Sequence, residues 1–78
     1  MFKYEYDKEA NALYIWLNDK PYAYGEDLDR ERRIDYASDG TPIGIELLCV
    51  SSGVSFNHLP QPDKIAQLLQ DIKIKVLV

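Results

Sequence analysis

Residues 34–47 read IDYASDGTPIGIEL, and Asp39-Gly40 standing between two alternating apolar runs marks the stretch as a β-hairpin. Its register follows from parity. Ile34 and Tyr36 occupy even positions, whereas Ile43, Ile45 and Leu47 occupy odd ones. Directly opposed residues share a face, so only an even-with-odd pairing gathers these side chains on one side. Tyr36 is then expected opposite Ile43, and Ile34 opposite Ile45. Arg33 falls opposite Glu46, and Asp35 opposite Gly44, on the other side. A slip of one residue would bury the charges.

Upstream, FKYEY alternates: Phe2, Tyr4 and Tyr6 share one face while Lys3 and Glu5 take the other, the period of a strand in β-prone residues. DKEAN breaks it, with Asp7 placed to accept hydrogen bonds from the amides that follow. ALYIWLN is apolar on both parities, which places it at the centre of a sheet or covers its second side. Asp19, Lys20 and Pro21 end that run, and Tyr22 to Leu28 forms a short strand weakened by Gly25.

Downstream, CVSSGVSFNHLPQP is rich in turn residues and reads as a loop. Pro62 suits the first turn of a helix, where its missing amide is not needed, and Asp63 sits near the positive end of the dipole. Ile65, Leu68, Leu69 and Ile72 follow at i, i+3, i+4 and i+7, one apolar stripe. The tail IKIKVLV alternates again through Ile72, Ile74, Val76 and Val78, and such a segment is expected to be paired, within the chain or with a neighbouring one. The expected fold is α+β: a small antiparallel sheet of four to five strands, one C-terminal helix packed on one face, and a possible final strand.

Seventy-eight residues make a single domain, 1–78, with a thin core that pairing with another subunit would help. No apolar run reaches the ~20 residues of a membrane helix, and the first residues lack the pattern of a secretory signal. With one cysteine, Cys49, no internal disulfide can form, and a cytoplasmic location is expected. The net charge of −4 disfavours phosphate backbones, so direct nucleic-acid binding is not expected; a basic protein partner is compatible with it.

Arg33, Asp35 and Glu46 form the nearest thing to a constellation, with Asp7 as a fourth polar position. Carboxylates beside an arginine could hold a cation or act as acid and base. Hairpin periodicity alone also demands polar residues here: Arg33 and Glu46 would form an exposed cross-strand pair and Asp35 would be solvated. His58 lies in a Pro-flanked loop with no second ligand spaced to it. Cys49, at the end of an apolar strand, is expected as a small buried hydrophobe. Glu26, Asp27, Asp29 and Glu31 lack the spacing of a calcium loop and read as a charged strand edge. The many tyrosines and Trp16 lack the positive charge of a nucleic-acid platform and suit a core or a protein interface.

YDKEANALYIWL and IDYASDGTPIGIEL together resemble the prokaryotic domain-of-unknown-function family 2283, in which Tyr-Asp-x-x-x-Asp-x-Leu-Tyr-Ile precedes Asp-Tyr-Asp-x-x-Gly-x-x-x-Gly-Ile-Glu-Ile. Tyr6, Asp7, Leu13, Tyr14 and Ile15 match, as do Asp35, Tyr36, Gly40, Gly44, Ile45, Glu46 and Leu47. Asn11 and Ala37 depart, each standing where an Asp is usual; if those acids hold a cation in the family, this chain would hold it poorly. The resemblance spans about residues 4 to 50 and implies small proteins, some encoded beside RelE-like toxins, and by analogy an antitoxin-like role.

The residues favour a protein-interaction module rather than an enzyme, with no cofactor and no metal. Its expected partner is a second copy of itself in a homodimer, a small basic protein, or both. The alternative is a small ligand- or metal-binding enzyme using Asp7, Asp35 and Glu46, for which a single sheet with one helix offers little depth.

Overall fold

The computed structural model describes residues 2–77. Five strands form one antiparallel sheet: β1 (Lys3–Asp7), β2 (Ala12–Trp16), β3 (Tyr24–Asp27), β4 (Arg32–Tyr36) and β5 (Pro42–Leu48), in the order β1-β2-β5-β4-β3. A 3-10 turn at Val50–Ser52 and a two-residue strand β6 (Val54–Ser55) lead to the helix α1 (Pro62–Asp71) and a last strand β7 (Val76–Leu77). The expected α+β architecture is what forms.

Ile34 pairs with Ile45, Arg33 opposes Glu46 and Asp35 opposes Gly44, as parity requires. The expected Tyr36–Ile43 pair does not form. Tyr36 pairs with Pro42 instead, across an irregularity between Asp35 and Tyr36. Proline cannot donate to a ladder and is tolerated in strands mainly at such bulges. The turn itself spans Ala37–Thr41, closed by Ala37 N donating to Thr41 O (2.9 Å). Gly40 takes φ 86°, a conformation open to glycine at no steric cost, and the Asp39 carboxylate accepts the Thr41 amide at 3.0 Å.

One cluster holds the molecule together. Leu13, Ile15, Ile34, Ile45 and Leu47 from the sheet meet Ile65, Leu68 and Leu69 of α1, with Val50, Val54, Leu59 and Ile74 around them. Pro62 begins the helix as its fixed φ predicts, and Asp63 stands in the first turn. Ile72 falls just past the helix yet still packs on the cluster. The helix ends in a Schellman arrangement: Lys73 takes φ 62° while its amide bonds Gln70 O at 3.0 Å and the Ile74 amide bonds Leu69 O at 2.8 Å. The reversal buries Ile74 and brings Val76 alongside Val54, where β7 pairs with β6 in parallel. The tail is therefore paired within the chain, away from the main sheet; Val78 lies outside the described residues. Arg32 anchors the intervening loop by donating to Ser55 O (2.9 Å) and Asn57 O (2.7 Å).

One further expectation is corrected. Cys49 is exposed, at φ 54°, because the chain reverses there and buries Val50 in its place; the neighbouring Glu31 carboxylate pushes its thiol up. β2 lies inside the sheet, as its two-sided apolar pattern predicts, and among the described residues no element covers its second side, where Trp16 is 36 % exposed. Among the described residues no helix is long and apolar enough to cross a membrane.

Candidate functional site

Alternation divides the sheet into a face closed by α1 and a face left open. Residues paired across strands share a face, so the register places Lys3, Trp16, Gly44, Asp35 and Gly25 in one row of the open side. The next row runs Glu5, Tyr14, Glu46, Arg33 and Asp27. These are the polar positions that hairpin periodicity required, and here they acquire a specific geometry.

Asp35 is not solvated. Its side chain is only 14 % exposed, and both carboxylate oxygens are engaged: Tyr14 Oη donates to Oδ2 at 2.7 Å, and Arg33 Nε donates to Oδ1 at 3.3 Å. Each donor reaches it across a glycine. A Cβ on Gly44 would run into the Tyr14 hydroxyl end, and one on Gly25 would lie 2.5 Å from Arg33 Nε and Nη2. The missing side chains are therefore the floor on which the phenol and the guanidinium lie.

The expected Arg33–Glu46 ion pair is absent, although the two residues do oppose each other. Arg33 turns the other way, toward β3, where Asp35 is joined by Asp27 (Nη1 to Oδ1, 3.6 Å) and by the Tyr22 hydroxyl, which accepts from Nη2 at 3.2 Å. The bare backbone at Gly25 gives that side room. Those partners hold the guanidinium above its ordinary pKa, Tyr22 first and then Asp35. Tyr14 is also raised, through burial first and then through its bond to Asp35 and the charges of Asp35 and Glu46. Its phenol is thus a persistent donor rather than a base.

Trp16 packs edge-on to Tyr14, ring centroids 4.8 Å apart at 66°, and carries the Lys3 ammonium 5.3 Å from its ring centroid. Around this framework the face is shallow. A depression of about 250 Å³ is lined by Glu5, Asp7, Ala12, Leu13, Tyr14 and Glu46. A second, of about 570 Å³, includes Tyr14, Trp16, Asp19, Lys20, Tyr22 and Asp35. Asp7 and Glu46 therefore share one depression, Asp35 opens on the other, and Tyr14 stands between them. Asp7, the last residue of β1, also accepts the Ala10 amide at 3.0 Å, as the turn that follows it suggested. Among the described residues, no group of three or more His, Cys, Asp or Glu is placed to hold a metal ion.

Two residues singled out by the sequence have other employment. Asn11, at φ 56°, clasps the 3-10 turn: its side chain donates to Ser51 Oγ and accepts the Ser51 amide, both at 2.9 Å. His58 is exposed in its loop at φ 66°. Conversely, periodicity does not mark Tyr14, Gly44 and Gly25 as site residues. The glycine-for-polar substitutions on an otherwise polar parity were the available signal.

A family model described as "Protein of unknown function (DUF2283)" matches residues 3–51, from β1 to the 3-10 turn. No curated protein matches the chain, and no solved structure does.

Proposed function

The chain belongs to the DUF2283 family of proteins of unknown function, and from that premise we propose that it is a protein-interaction module, not an enzyme, whose open sheet face docks a small basic protein. The observation that carries the reading is the make-up of that face. Its large side chains include Trp16 and Leu48, both exposed, and its charges are Glu5, Asp7, Asp27, Asp35 and Glu46 against Lys3 and Arg33. Arg33 is already committed to Asp27 and Asp35. Glu5, Asp7 and Glu46 have no ion-pair partner among the described residues. Aromatic area beside unpaired acid is the complement of a cationic protein surface. Covering the basic active surface of such a partner is an antitoxin-like role.

The enzymatic alternative needs Asp7, Asp35 and Glu46 to act on one bound molecule. Their division between two open depressions, and the full engagement of Asp35 by Tyr14 and Arg33, favour docking instead.

Co-expression with each small basic protein encoded beside this one, followed by size-exclusion chromatography, tests the reading. A partner should co-elute. Glu46→Lys and Trp16→Ala should each release it, and Asp63→Lys on the helix should not. A complex indifferent to both open-face changes, or turnover of a substrate abolished by Asp35→Ala with partner binding intact, would overturn it.

A further inference from the structure

We infer that two copies of the chain join through β1, edge to edge, into one continuous ten-stranded sheet. The two edges of the sheet are not alike. β3 carries Glu26 and Asp27 and no base, so a second copy brings only like charge to it, a common defence of an exposed edge. β1 carries mixed charge instead, Lys3 beside Glu5 and Asp7, so a second copy can set unlike charges against it. Among the described residues no strand pairs with its outward row of backbone groups, and Tyr4 at its middle is 38 % exposed.

The segment Phe2–Tyr6, FKYEY, is complementary to itself when run antiparallel about Tyr4. In that register Phe2 opposes Tyr6 of the second copy, Lys3 opposes Glu5, Tyr4 opposes Tyr4, and the pairs repeat in reverse. No like charges meet. A shift one way sets Lys3 against Lys3, and a shift the other way sets Glu5 against Glu5 beside two Lys3–Asp7 pairs, so of the three the register centred on Tyr4 is the one with no like-charge contact. The contact is isologous, as a two-fold dimer requires, and main-chain hydrogen bonds would supply its common part.

Each face of the joined strands has work for its side chains. On the helix side, Phe2 and Tyr6 already pack against the core, and the opposing aromatics would extend that apolar row across the junction. A groove of about 270 Å³ lined by Phe2, Lys64, Gln67, Leu68 and Asp71 lies beside Phe2, where Tyr6 of the second copy would arrive. On the open side, two Lys3–Glu5 pairs form. Glu5 has no ion-pair partner within its own chain among the described residues, and Lys3 meets only the Trp16 ring there. Because opposed residues share a face, both open faces point the same way, giving a doubled docking surface. The inference does not depend on that surface having a partner.

Sedimentation velocity over a concentration series reaching the millimolar range, with circular dichroism to check folding, tests it. The wild-type chain should be a dimer. Lys3→Glu and Glu5→Lys should each weaken association about tenfold or more by setting like charges opposite, while the double variant should recover it. Amides of β1 should exchange more slowly in the dimer than in the charge-reversed monomers. Four results would overturn the inference: a wild type that stays monomeric at every concentration, a dimer indifferent to both single reversals, a folded double variant that stays monomeric, or a dimer whose β1 amides gain no protection. If one single variant fails to fold, the other single reversal compared with the double variant still decides between these.

Discussion

The two faces of the sheet are built from alternate residues of the same five strands, yet they are held by different physics. On the closed face, Leu13, Ile15, Ile34, Ile45 and Leu47 meet the stripe of α1, and five of the contributing side chains, Ile15, Ile45, Leu47, Ile65 and Leu69, are wholly inaccessible to solvent. Burial there is non-directional and scales with area. On the open face the order comes from directed bonds to one carboxylate, Asp35, with two glycines making space for the donors. A volume change should therefore dominate on one side, and a change of reach or bonding on the other.

The largest effect is expected on the closed face. Ile45→Ala removes a fully buried branched side chain between Ile15 and Ile34, and should lower the unfolding free energy by about 2–5 kcal/mol, measured by urea denaturation. In a domain of this size that is much of the total stability. If the loss were under about 1 kcal/mol, the closed face would not be the main source of stability, and the contrast between the faces would fail.

A smaller loss is expected from Gly44→Ala. The added methyl would occupy the place of the Tyr14 hydroxyl, so the ring must swing off Asp35 and leave a part-buried carboxylate short of a donor. We expect a loss of about 1–3 kcal/mol together with a change in Trp16 fluorescence, because Tyr14 packs edge-on to that ring. Trp16 is the only tryptophan, so the signal is unambiguous. Unchanged fluorescence and stability would mean that the phenol does not depend on its glycine floor.

Periodicity made the closed face legible in the sequence, since parity alone assigns Ile34, Ile45 and Leu47 inward and charge enforces the register. It also placed the helix, whose stripe needs only the 3.6-residue period. It failed where one residue breaks the period: Pro42 shifts Tyr36 off Ile43, and Cys49 leaves the strand for a left-handed turn. The open face was legible as a set of polar positions but not as a network. Parity says that Arg33 and Glu46 oppose each other; it does not say that a bare Gly25 and the carboxylates of Asp27 and Asp35 draw the guanidinium away. By pattern the tyrosine that completes the network, Tyr14, counts as apolar packing, because its hydroxyl has no period of its own.

The smallest effect is the most specific to the open face. Tyr14→Phe removes one donor to a carboxylate and leaves the ring on Gly44, and should lose about 1.5 kcal/mol near neutral pH, in the low range for a bond to a charged group. Its signature is the alkaline limb. Burial and Asp35 raise the phenol in the folded chain, whereas in the unfolded chain it ionises near pH 10. Unfolding above that pH therefore releases a proton, and the stability tied to Tyr14 is fully present below about pH 10 and declines as pH rises toward the higher folded value. Tyr36, raised by burial and then by Glu26, adds a slope of the same sign that remains in the variant. The difference between wild type and Tyr14→Phe in urea melts at successive pH values should thus be flat through neutrality and shrink above pH 10. A difference that stays constant into the alkaline range would mean that Tyr14 ionises alike folded and unfolded, and that the open face is ordered by aromatic packing rather than by the carboxylate it surrounds.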